Sequence, residues 1–291
     1  MPEGPEVETI RRGLAATITG QRLRDVTVLW PKSLPAPAEV LARDVVGTRV
    51  KALRRRAKVL MIELDTGYTL LVHLKMTGQM VLVQAGGGRM AGGHPTQSMA
   101  GELPDSSTKV IFTFESGDRL FFNDQRKFGW IKLLQTADVP LDALVSRLGP
   151  EALAPEFSLE YLAGVLARHK GAPVKAVILD QSTVGGVGNI YADESLHLAR
   201  IHPARRAGTL GADEAARLWS AIREIMALGI EHGGTSFAKY VNALGGKGDY
   251  LDNARVFRRE GLMCPVCGSM IEKLRVAGRG THICPSCQVL S

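Results

Sequence analysis

The chain has 291 residues, 45% of them apolar, with a formal charge of +7 at pH 7 and a pI near 9.4. The length predicts two globular units with separate cores. The basic balance favours a polyanionic partner, either nucleic acid or an acidic membrane surface. No stretch approaches the roughly 20 apolar residues of a membrane span, and the acidic start MPEGPEVE is unlike a signal peptide. We therefore expect a cytosolic protein.

The charge is spread unevenly along the chain. Residues 1–135 hold 19 Lys/Arg against 13 Asp/Glu, residues 136–254 hold 11 against 14, and residues 255–291 hold 6 against 2. Two basic ends favour a polyanion lying between them. Unevenly spread solubilising charge would give the same pattern.

Residues 5–18 predict an amphipathic helix that begins almost at the chain terminus. Its apolar residues recur at helical spacing: Val7, Ile10, Leu14 and Ile18. Glu6 and Glu8 stand in the first turn, where the helix dipole favours acidic side chains.

From about residue 44 to 135 the pattern changes to short apolar or alternating runs, which predict a β-rich domain. The runs are VLMIEL (59–64), YTLLVHL (68–74), QMVLV (79–83), KVIFTF (109–114) and RLFFND (119–124). Residues 85–107 are rich in Gly, Ser and Pro without periodicity. They predict a flexible surface excursion with little fixed structure.

A second boundary is predicted near residues 148–150, after which the sequence is typical of helices. The helical segments are SLEYLAGVLARH (158–169), PVKAVILDQ (173–181), NIYADESLHLA (189–199) and ADEAARLWSAIREIMALGIEHG (212–233). No internal repeat is evident. The chain closes with a small cysteine module.

This module contains two CxxC pairs, Cys264-Pro-Val-Cys267 and Cys284-Pro-Ser-Cys287, separated by 16 residues. The spacing matches a closed four-thiolate zinc site joined by a β-hairpin. Two redox dithiols are the alternative, but nothing nearby resembles a thioredoxin unit. Four thiolates leave no open position, so we expect one structural Zn²⁺ that folds the module.

The chain start offers an unusual nucleophile. Removal of Met1 would leave Pro2 with a secondary amine, and α-amino groups have reference pKa values near ~7.7–8. Attack on an aldehydic sugar carbon would give an iminium, the electron sink for eliminating a flanking phosphate. Without further context, MPE is a common chain start.

Six motifs occur in the order found in bacterial formamidopyrimidine-DNA glycosylases, and the chain resembles that family over nearly its whole length. They are MPEGPEVETIRRGL, RRAKVL (55–60), HLKMTG (73–78), RKFG (126–129), GGVGNIYADE (185–194) and the terminal zinc finger. The related endonuclease eight family shares the MPEGPE start and the finger. GNIYADE, the RxF pair and GGKGDYLDNARVF (245–257) look more like the formamidopyrimidine branch, whereas Gly4 looks more like the other.

The resemblance implies an α+β protein. An N-terminal antiparallel β-sandwich forms the catalytic domain (1–135), followed by a hinge (136–155). A helical DNA-binding domain with a helix-two-turn-helix motif (156–256) and a β-hairpin zinc finger (257–291) complete the chain, with DNA expected in the cleft. The stretch 235–256 is a candidate cover for the everted base.

The resemblance also implies a bifunctional glycosylase/lyase that removes 8-oxoguanine and formamidopyrimidines from duplex DNA, then cuts by β- and δ-elimination. Pro2 would be the Schiff-base nucleophile and Glu3 the acid for base removal, while Lys58 on the RRAKVL strand would assist β-elimination. Arg279, at the tip Gly278-Arg279-Gly280, matches the finger arginine assigned to δ-elimination. Because arginine stays protonated, a phosphate contact is favoured over literal proton donation.

Further residues match DNA contacts of the family. Met76, Arg126 and Phe128 match the triad that fills the gap left by the flipped base. Asn189, which follows a glycine-rich turn at a helix start, matches a phosphate ligand, and Lys170 matches a DNA-contacting lysine. A glycine-rich nucleotide site is the competing interpretation of that turn, but no Rossmann unit supports it.

One departure concerns a His-x-His pair of many relatives, which is replaced here by Ser107-Thr108-Lys109. Either Lys109 or His94 could supply the missing phosphate contact, which we leave unassigned. Lys175 is a further candidate DNA neighbour.

Three alternatives remain open at the level of sequence. The protein could prefer oxidised pyrimidines, bind damaged DNA without catalysis, or be a zinc-ribbon RNA-binding factor. The joint presence of Pro2, Glu3 and Lys58 argues against a pure binder. We expect a monomer acting on damaged double-stranded DNA in the cytoplasm, associated with the nucleoid, without a membrane partner and with zinc as the cofactor.

Overall fold

The computed structural model describes residues 1–235 and 248–290. The chain divides into one compact unit of residues 1–146 and 233–248 and a second of residues 147–232 and 249–291. Each unit has its own apolar core. The domain limits at residues 135, 155 and 256 and the hinge remain predictions.

The described part of the first unit is an antiparallel β-sandwich with two α-helices. The helices are α1 (Gly4–Ile18) and α2 (Ala38–Asp44). The strands are β1 (Leu23–Val28), β2 (Val50–Arg56), β3 (Val59–Leu64), β4 (Tyr68–His73), β5 (Gly78–Val83), β6 (Arg89–Gly93), β7 (Thr108–Phe114), β8 (Arg119–Asp124) and β9 (Trp130–Gln135). One sheet has the order β1-β7-β8-β5-β6 and the other the order β2-β3-β4-β9. Side chains of both sheets and of α1 form a single core.

The predicted N-terminal helix and the five predicted strands are confirmed. Helix α1 packs against β2 and β6, with the apolar stripe of Val7, Ile10, Leu14 and Ile18 at most 2% exposed. Sequence patterns did not identify β1, β2, β9 or α2. These elements carry fewer buried positions, so their periodicity is weak.

The prediction that residues 85–107 have little fixed structure is wrong. Strand β6 pairs with β5 in this stretch, and Gln97–Met99 forms a 3-10 turn. The prediction failed because the pairing of two strands needs only backbone hydrogen bonds. A strand can therefore form where the side chains show no periodicity. A glycine is required at position 92, since a Cβ there would stand 2.3 Å from Ile10 Cγ1.

The second unit is helical and ends in a hairpin, as predicted. Its helices are α3 (Leu159–Arg168), α4 (Val174–Leu179), α5 (Asn189–Leu198) and α6 (Ala212–Glu231), and its strands are β10 (Glu272–Val276) and β11 (Arg279–Ile283). Helix α5 is the centre of the second unit, packing against α4, α6 and β11.

Short 3-10 segments occur in both units of the described chain. They lie at Pro31–Ser33, Gln97–Met99, Thr136–Leu141, Val145–Arg147, Ala207–Thr209 and Tyr250–Asn253.

Among the described helices, none is both long and apolar enough to cross a lipid bilayer.

Replacing Gly92 by alanine should destabilise the first unit by about 1–3 kcal/mol, because the added methyl overpacks against Ile10. Urea denaturation measures this change. The matched control is Gly86→Ala, where the new methyl meets nothing within 4 Å, and where we expect a change within about 0.5 kcal/mol. Equal midpoints for the two variants would contradict the packing of α1 on β6.

Candidate functional site

The start of the chain is held in place rather than frayed. Pro2 is buried and Glu3 is 4% exposed, although chain termini are usually poorly ordered. Glu3 N donates to the Glu6 carboxylate at 2.9 Å, as in a capping box, and Val7 N donates to Glu3 O at 3.0 Å. Glu6 Oε1 also accepts from Thr235 N at 2.7 Å and Thr235 Oγ1 at 2.9 Å.

Thr235 is the last described residue before position 248. The predicted cover for the everted base, 235–256, therefore lies largely outside the described residues.

Lys58 lies in a two-residue turn rather than on a strand, which corrects the sequence prediction. Ala57 and Lys58 connect β2 to β3, with Ala57 in the left-handed region at φ 50°. Arg55 Nη1 donates to Ala57 O at 2.7 Å and closes the turn. Lys58 is 6% exposed, a rare degree of burial for lysine. The turn thus fixes an ammonium group within the first unit.

His73 ends β4, opposite Val59 in the register. Burial, followed by the charges of Lys75 and Lys58, lowers the pKa of His73 to about 3. The imidazole is therefore neutral at physiological pH, and its Nδ1 accepts from Lys75 N at 3.0 Å. This contact shapes the turn that carries Met76.

The three residues predicted to fill the gap in DNA lie on exposed turns. Met76 is 41% exposed and Phe128 is 53% exposed. The guanidinium of Arg126 lies 4.8 Å from the centroid of the Phe128 ring, a cation–π distance. Large apolar side chains in this position remain available to a partner.

Asp124, which sequence reasoning missed, joins the two turns. It is fully buried at the end of β8 and accepts hydrogen bonds from Thr77 Oγ1, Arg126 N at 3.2 Å and Gly129 N at 2.6 Å. One carboxylate thus fixes the turn of Met76 against the turn of Arg126 and Phe128. An acidic residue ending the apolar run RLFFND was the available signal.

The structure supports neither Lys109 nor His94 as the replacement for the family's DNA-contacting histidine. Lys109 is 3% exposed and donates to Ser106 O at 2.7 Å, with its pKa lowered chiefly by burial. In the absence of DNA, the Lys109 ammonium group is therefore buried and hydrogen-bonded to the backbone. His94 is half-buried, and its backbone N donates to Gly78 O at 3.1 Å.

In the second unit, Asn189 and the strand of Arg279 come together. Asn189 is the first residue of α5, and its Nδ2 donates to Gly280 O at 3.0 Å. The hairpin tip is Ala277–Gly278, with φ angles of 48° and 77°, not the predicted Gly278-Arg279-Gly280. Arg279 is the exposed first residue of β11 because both left-handed positions precede it.

Lys175 is not a surface DNA neighbour, which corrects that prediction. It is fully buried and lies 2.6 Å from the Asp193 carboxylate in an ion pair. Its Nζ also donates to Thr281 Oγ1 at 2.7 Å, and Asp193 accepts from His282 N at 2.9 Å. The pair ties β11 to α4 and α5. Lys170, in contrast, is exposed.

Glu194 holds the segment that leads into the cysteine module. It is fully buried and accepts three backbone hydrogen bonds, from Arg255 at 2.8 Å, Val256 at 2.9 Å and Phe257 at 2.7 Å. Burial raises the pKa of Glu194, and the three N–H groups only partly offset this effect. Sequence patterns gave no sign of this anchor.

The cysteines converge as a metal site requires. The Sγ atoms of Cys267 and Cys284 lie 3.4 Å apart and those of Cys264 and Cys287 lie 4.0 Å apart. His197, which sequence reasoning missed, lies with Cys264, Cys284 and Cys287 in a group whose ligand atoms are all within 4.8 Å. Closely spaced thiols of this kind fit one structural Zn²⁺.

Three family models match the chain. Residues 1–131 match the formamidopyrimidine-DNA glycosylase N-terminal domain, and residues 148–240 match the formamidopyrimidine-DNA glycosylase H2TH domain. Residues 261–289 match a zinc finger found in FPG and IleRS.

Curated relatives and solved structures point to the same family as the family models. A formamidopyrimidine-DNA glycosylase of Herpetosiphon aurantiacus is 42% identical over 290 residues, covering 99% of this chain and 100% of the relative. A Lactococcus lactis FPG variant in complex with DNA containing Fapy-dG is 32% identical with a TM-score of 0.88, covering 99% of this chain and 100% of that one. MutM (FPG) from Thermus thermophilus is 37% identical with a TM-score of 0.84, covering 99% and 98%.

An arginine cluster around Glu8 holds α1 to β2. Glu8 accepts from Arg11 at 2.8 Å, Arg12 at 2.8 Å and Arg55 at 3.3 Å. Burial acts to raise the pKa of Glu8, but the hydrogen bonds and charges of these arginines outweigh it and lower the pKa from 4.5 to about 2. The folded state therefore favours the ionised carboxylate.

Glu8→Gln should lower the free energy of unfolding at pH 7 by about 1–3 kcal/mol. Because the folded pKa lies below the unfolded value, this stabilisation is complete above about pH 5 and is lost as the pH falls from 4.5 towards 2. Urea midpoints should therefore differ most at pH 7, differ less at pH 3, and converge only as the pH falls below about 2. Exposed Glu39→Gln is the control, and a difference for Glu8→Gln that is as large at pH 3 as at pH 7 would contradict the pKa assignment.

Lys175→Met should destabilise the second unit by about 3–5 kcal/mol, because it leaves the Asp193 carboxylate buried without its cation. Thermal unfolding measures the loss. Lys170→Met removes an exposed charge of the same type and should stay within about 0.5 kcal/mol. Similar melting temperatures for both variants would show that the pair does not hold β11.

Proposed function

Because the chain belongs to the formamidopyrimidine-DNA glycosylase family, we propose that it excises oxidised purines from duplex DNA and then cuts the strand. Its substrates are 8-oxoguanine and formamidopyrimidines, and its lyase activity proceeds by β- and δ-elimination. The single observation that carries the proposal is the buried, hydrogen-bonded chain start, which places Pro2 and Glu3 directly before helix α1.

The chemistry begins at Pro2 once Met1 has been removed. The secondary amine attacks C1′ of the damaged nucleotide, the bond from C1′ to the base breaks, and Glu3 supplies the proton. Opening of the sugar ring gives an iminium between Pro2 and C1′. Loss of a proton from C2′ then breaks the C3′–O bond to phosphate, with the nitrogen as electron sink, and Lys58 assists this β-elimination.

The exposed triad suits the flipping step. Extruding a base costs a few kcal/mol of stacking and pairing, which a protein recovers by filling the gap. Met76 provides an aliphatic wedge, while Arg126 and Phe128 provide a guanidinium and a ring already in contact with each other. Asp124, by fixing both turns, keeps this set ordered before DNA arrives.

The second unit supplies phosphate contacts. We assign Asn189, Arg279 and Lys170 to the backbone of the damaged strand, with Arg279 also serving the δ-elimination step. Four cysteines, Cys264, Cys267, Cys284 and Cys287, hold the structural zinc. That ion organises the hairpin and takes no part in bond breaking.

The wider organisation follows from this role. Residues 1–135 form the catalytic domain, 136–155 the hinge, 156–256 the helical DNA-binding domain and 257–291 the zinc finger. The protein acts as a monomer on damaged double-stranded DNA in the cytoplasm, where it associates with the nucleoid.

Borohydride should trap the protein on duplex DNA carrying 8-oxoguanine opposite cytosine, because reduction of the iminium leaves a stable C–N bond. Gel electrophoresis detects the adduct. Pro2→Gly changes the amine, and a form that retains Met1 blocks it, so both should lose most of the adduct while still binding DNA.

A thymine-glycol duplex in parallel distinguishes the alternatives. Trapping on thymine glycol alone would assign the protein to oxidised pyrimidines. Tight binding without an adduct on either duplex would make it a damage binder and would contradict the proposal.

Arg279→Gln should weaken DNA binding uniformly across sequences and reduce the salt dependence of the binding constant by roughly one charge. The borohydride adduct should persist, whereas the product ratio should move from δ- to β-elimination. Arg275→Gln, an exposed change on the partner strand β10, is the control. An unchanged salt slope and product ratio for Arg279→Gln would remove this residue from the site.

A further inference from the structure

A histidine outside the zinc finger lies against its cysteines. His197 stands in the last turn of α5 and is 2% exposed. Its Nε2 lies 3.5 Å from Cys264 Sγ, and its ligand atom lies within 4.8 Å of those of Cys264, Cys284 and Cys287. The matched finger covers residues 261–289, so this donor comes from a different part of the chain.

The spacing fits coordination as well as packing. In a tetrahedral zinc site with bonds of about 2.3 Å to sulfur and 2.0 Å to nitrogen, neighbouring ligands lie roughly 3.5–3.8 Å apart. The 3.5 Å between His197 Nε2 and Cys264 Sγ matches such an edge. The two sulfur pairs, at 3.4 and 4.0 Å, lie on either side of that range. Cys267 Sγ lies 3.4 Å from Cys284 Sγ but outside the group that His197 forms with the other three cysteines. A metal that takes four ligands therefore has five candidate donors nearby.

Two observations indicate which of the five donors bind the metal in the intact protein and which of these ligands is lost most readily. Ligating histidines usually donate their other ring N–H to a partner, and His197 Nδ1 is buried without a hydrogen bond to any residue that the structure describes. The four thiolates are therefore the resting ligands. Cys267 is the exposed thiol of the set, whereas Cys264 and Cys284 are buried, so Cys267 is the ligand most open to loss.

We propose that His197 is a reserve zinc ligand. In the intact protein it packs against Cys264, and when the Cys267 thiolate is lost, His197 Nε2 takes the fourth coordination position. The hairpin would then keep its metal and its attachment to α5. This inference does not depend on the glycosylase activity, because it concerns metal retention alone.

The test uses four full-length proteins: wild type, Cys267→Ser, His197→Phe and the double variant Cys267→Ser/His197→Phe. Zinc per chain is measured after challenge with a chelator, and absorption spectra are recorded after exchange with Co²⁺. Wild type and His197→Phe should hold one metal with a four-thiolate spectrum. Cys267→Ser should hold one metal whose d–d bands move to shorter wavelength, as nitrogen replaces sulfur.

The double variant should release zinc about 10- to 100-fold faster than Cys267→Ser. A matched double variant, Cys267→Ser/His169→Phe, changes an exposed histidine of the same unit and should behave like Cys267→Ser. Equal release from Cys267→Ser and Cys267→Ser/His197→Phe would overturn the proposal. So would metal loss from His197→Phe alone, since His197 would then be a resting ligand.

A second measurement covers the case in which Cys267→Ser does not fold. N-ethylmaleimide added to folded wild type and His197→Phe forms a bond from the Cys267 sulfur to the maleimide alkene, whose other carbon takes a proton. Peptide mapping confirms the site, and native mass spectrometry counts zinc. Alkylated wild type should retain zinc and alkylated His197→Phe should lose it, whereas equal retention would overturn the proposal.

Discussion

The burial of helix α1 in the sandwich core is the interaction on which the candidate site depends. Chain termini usually fray, yet four apolar side chains of α1 lie in the core from Val7 to Ile18, and Glu8 joins the same helix to β2. Pro2 and Glu3 immediately precede the helix and therefore inherit a fixed position. Because catalysis by a positioned group requires little motion at the reacting atom, a nucleophile at a chain start is workable only on such a support.

Helix α5 has the corresponding role in the second unit. Its residues Asn189, Asp193, Glu194 and His197 recur at helical spacing and contact the finger or the segment leading into it. A buried ion pair such as Lys175–Asp193 adds little net stability but is costly to break. Its value here is geometric, because it fixes the strand on which Arg279 lies. The zinc supplies the local fold of the hairpin, and α5 supplies its attachment.

Much of the fold could be predicted because burial imposes a period on the sequence. The stripe of α1, the apolar strands and the CxxC pairs all follow such rules. Strand β6 could not be predicted, since its glycines leave room for Ile10 and carry no alternation. Lys58 was expected on a strand but lies in a turn, and Arg279 was expected in a turn but begins a strand. Both errors arose because the ends of turns depend on backbone geometry. His197 was missed because Cys264 lies 67 residues away in sequence. Asp124 was missed because its link to the turn of Met76, through Thr77, spans 47 residues.

Amide hydrogen exchange of the DNA-free protein tests most directly whether α1 fixes the chain start. The amides of Val7 to Ile10 should exchange as slowly as those of β3, because both belong to one core and open only with it. The Pro2 amine would then be positioned before DNA binds. Rapid exchange of Val7 to Ile10 with a protected β3, as in a fraying terminus, would contradict this and require DNA itself to order the nucleophile.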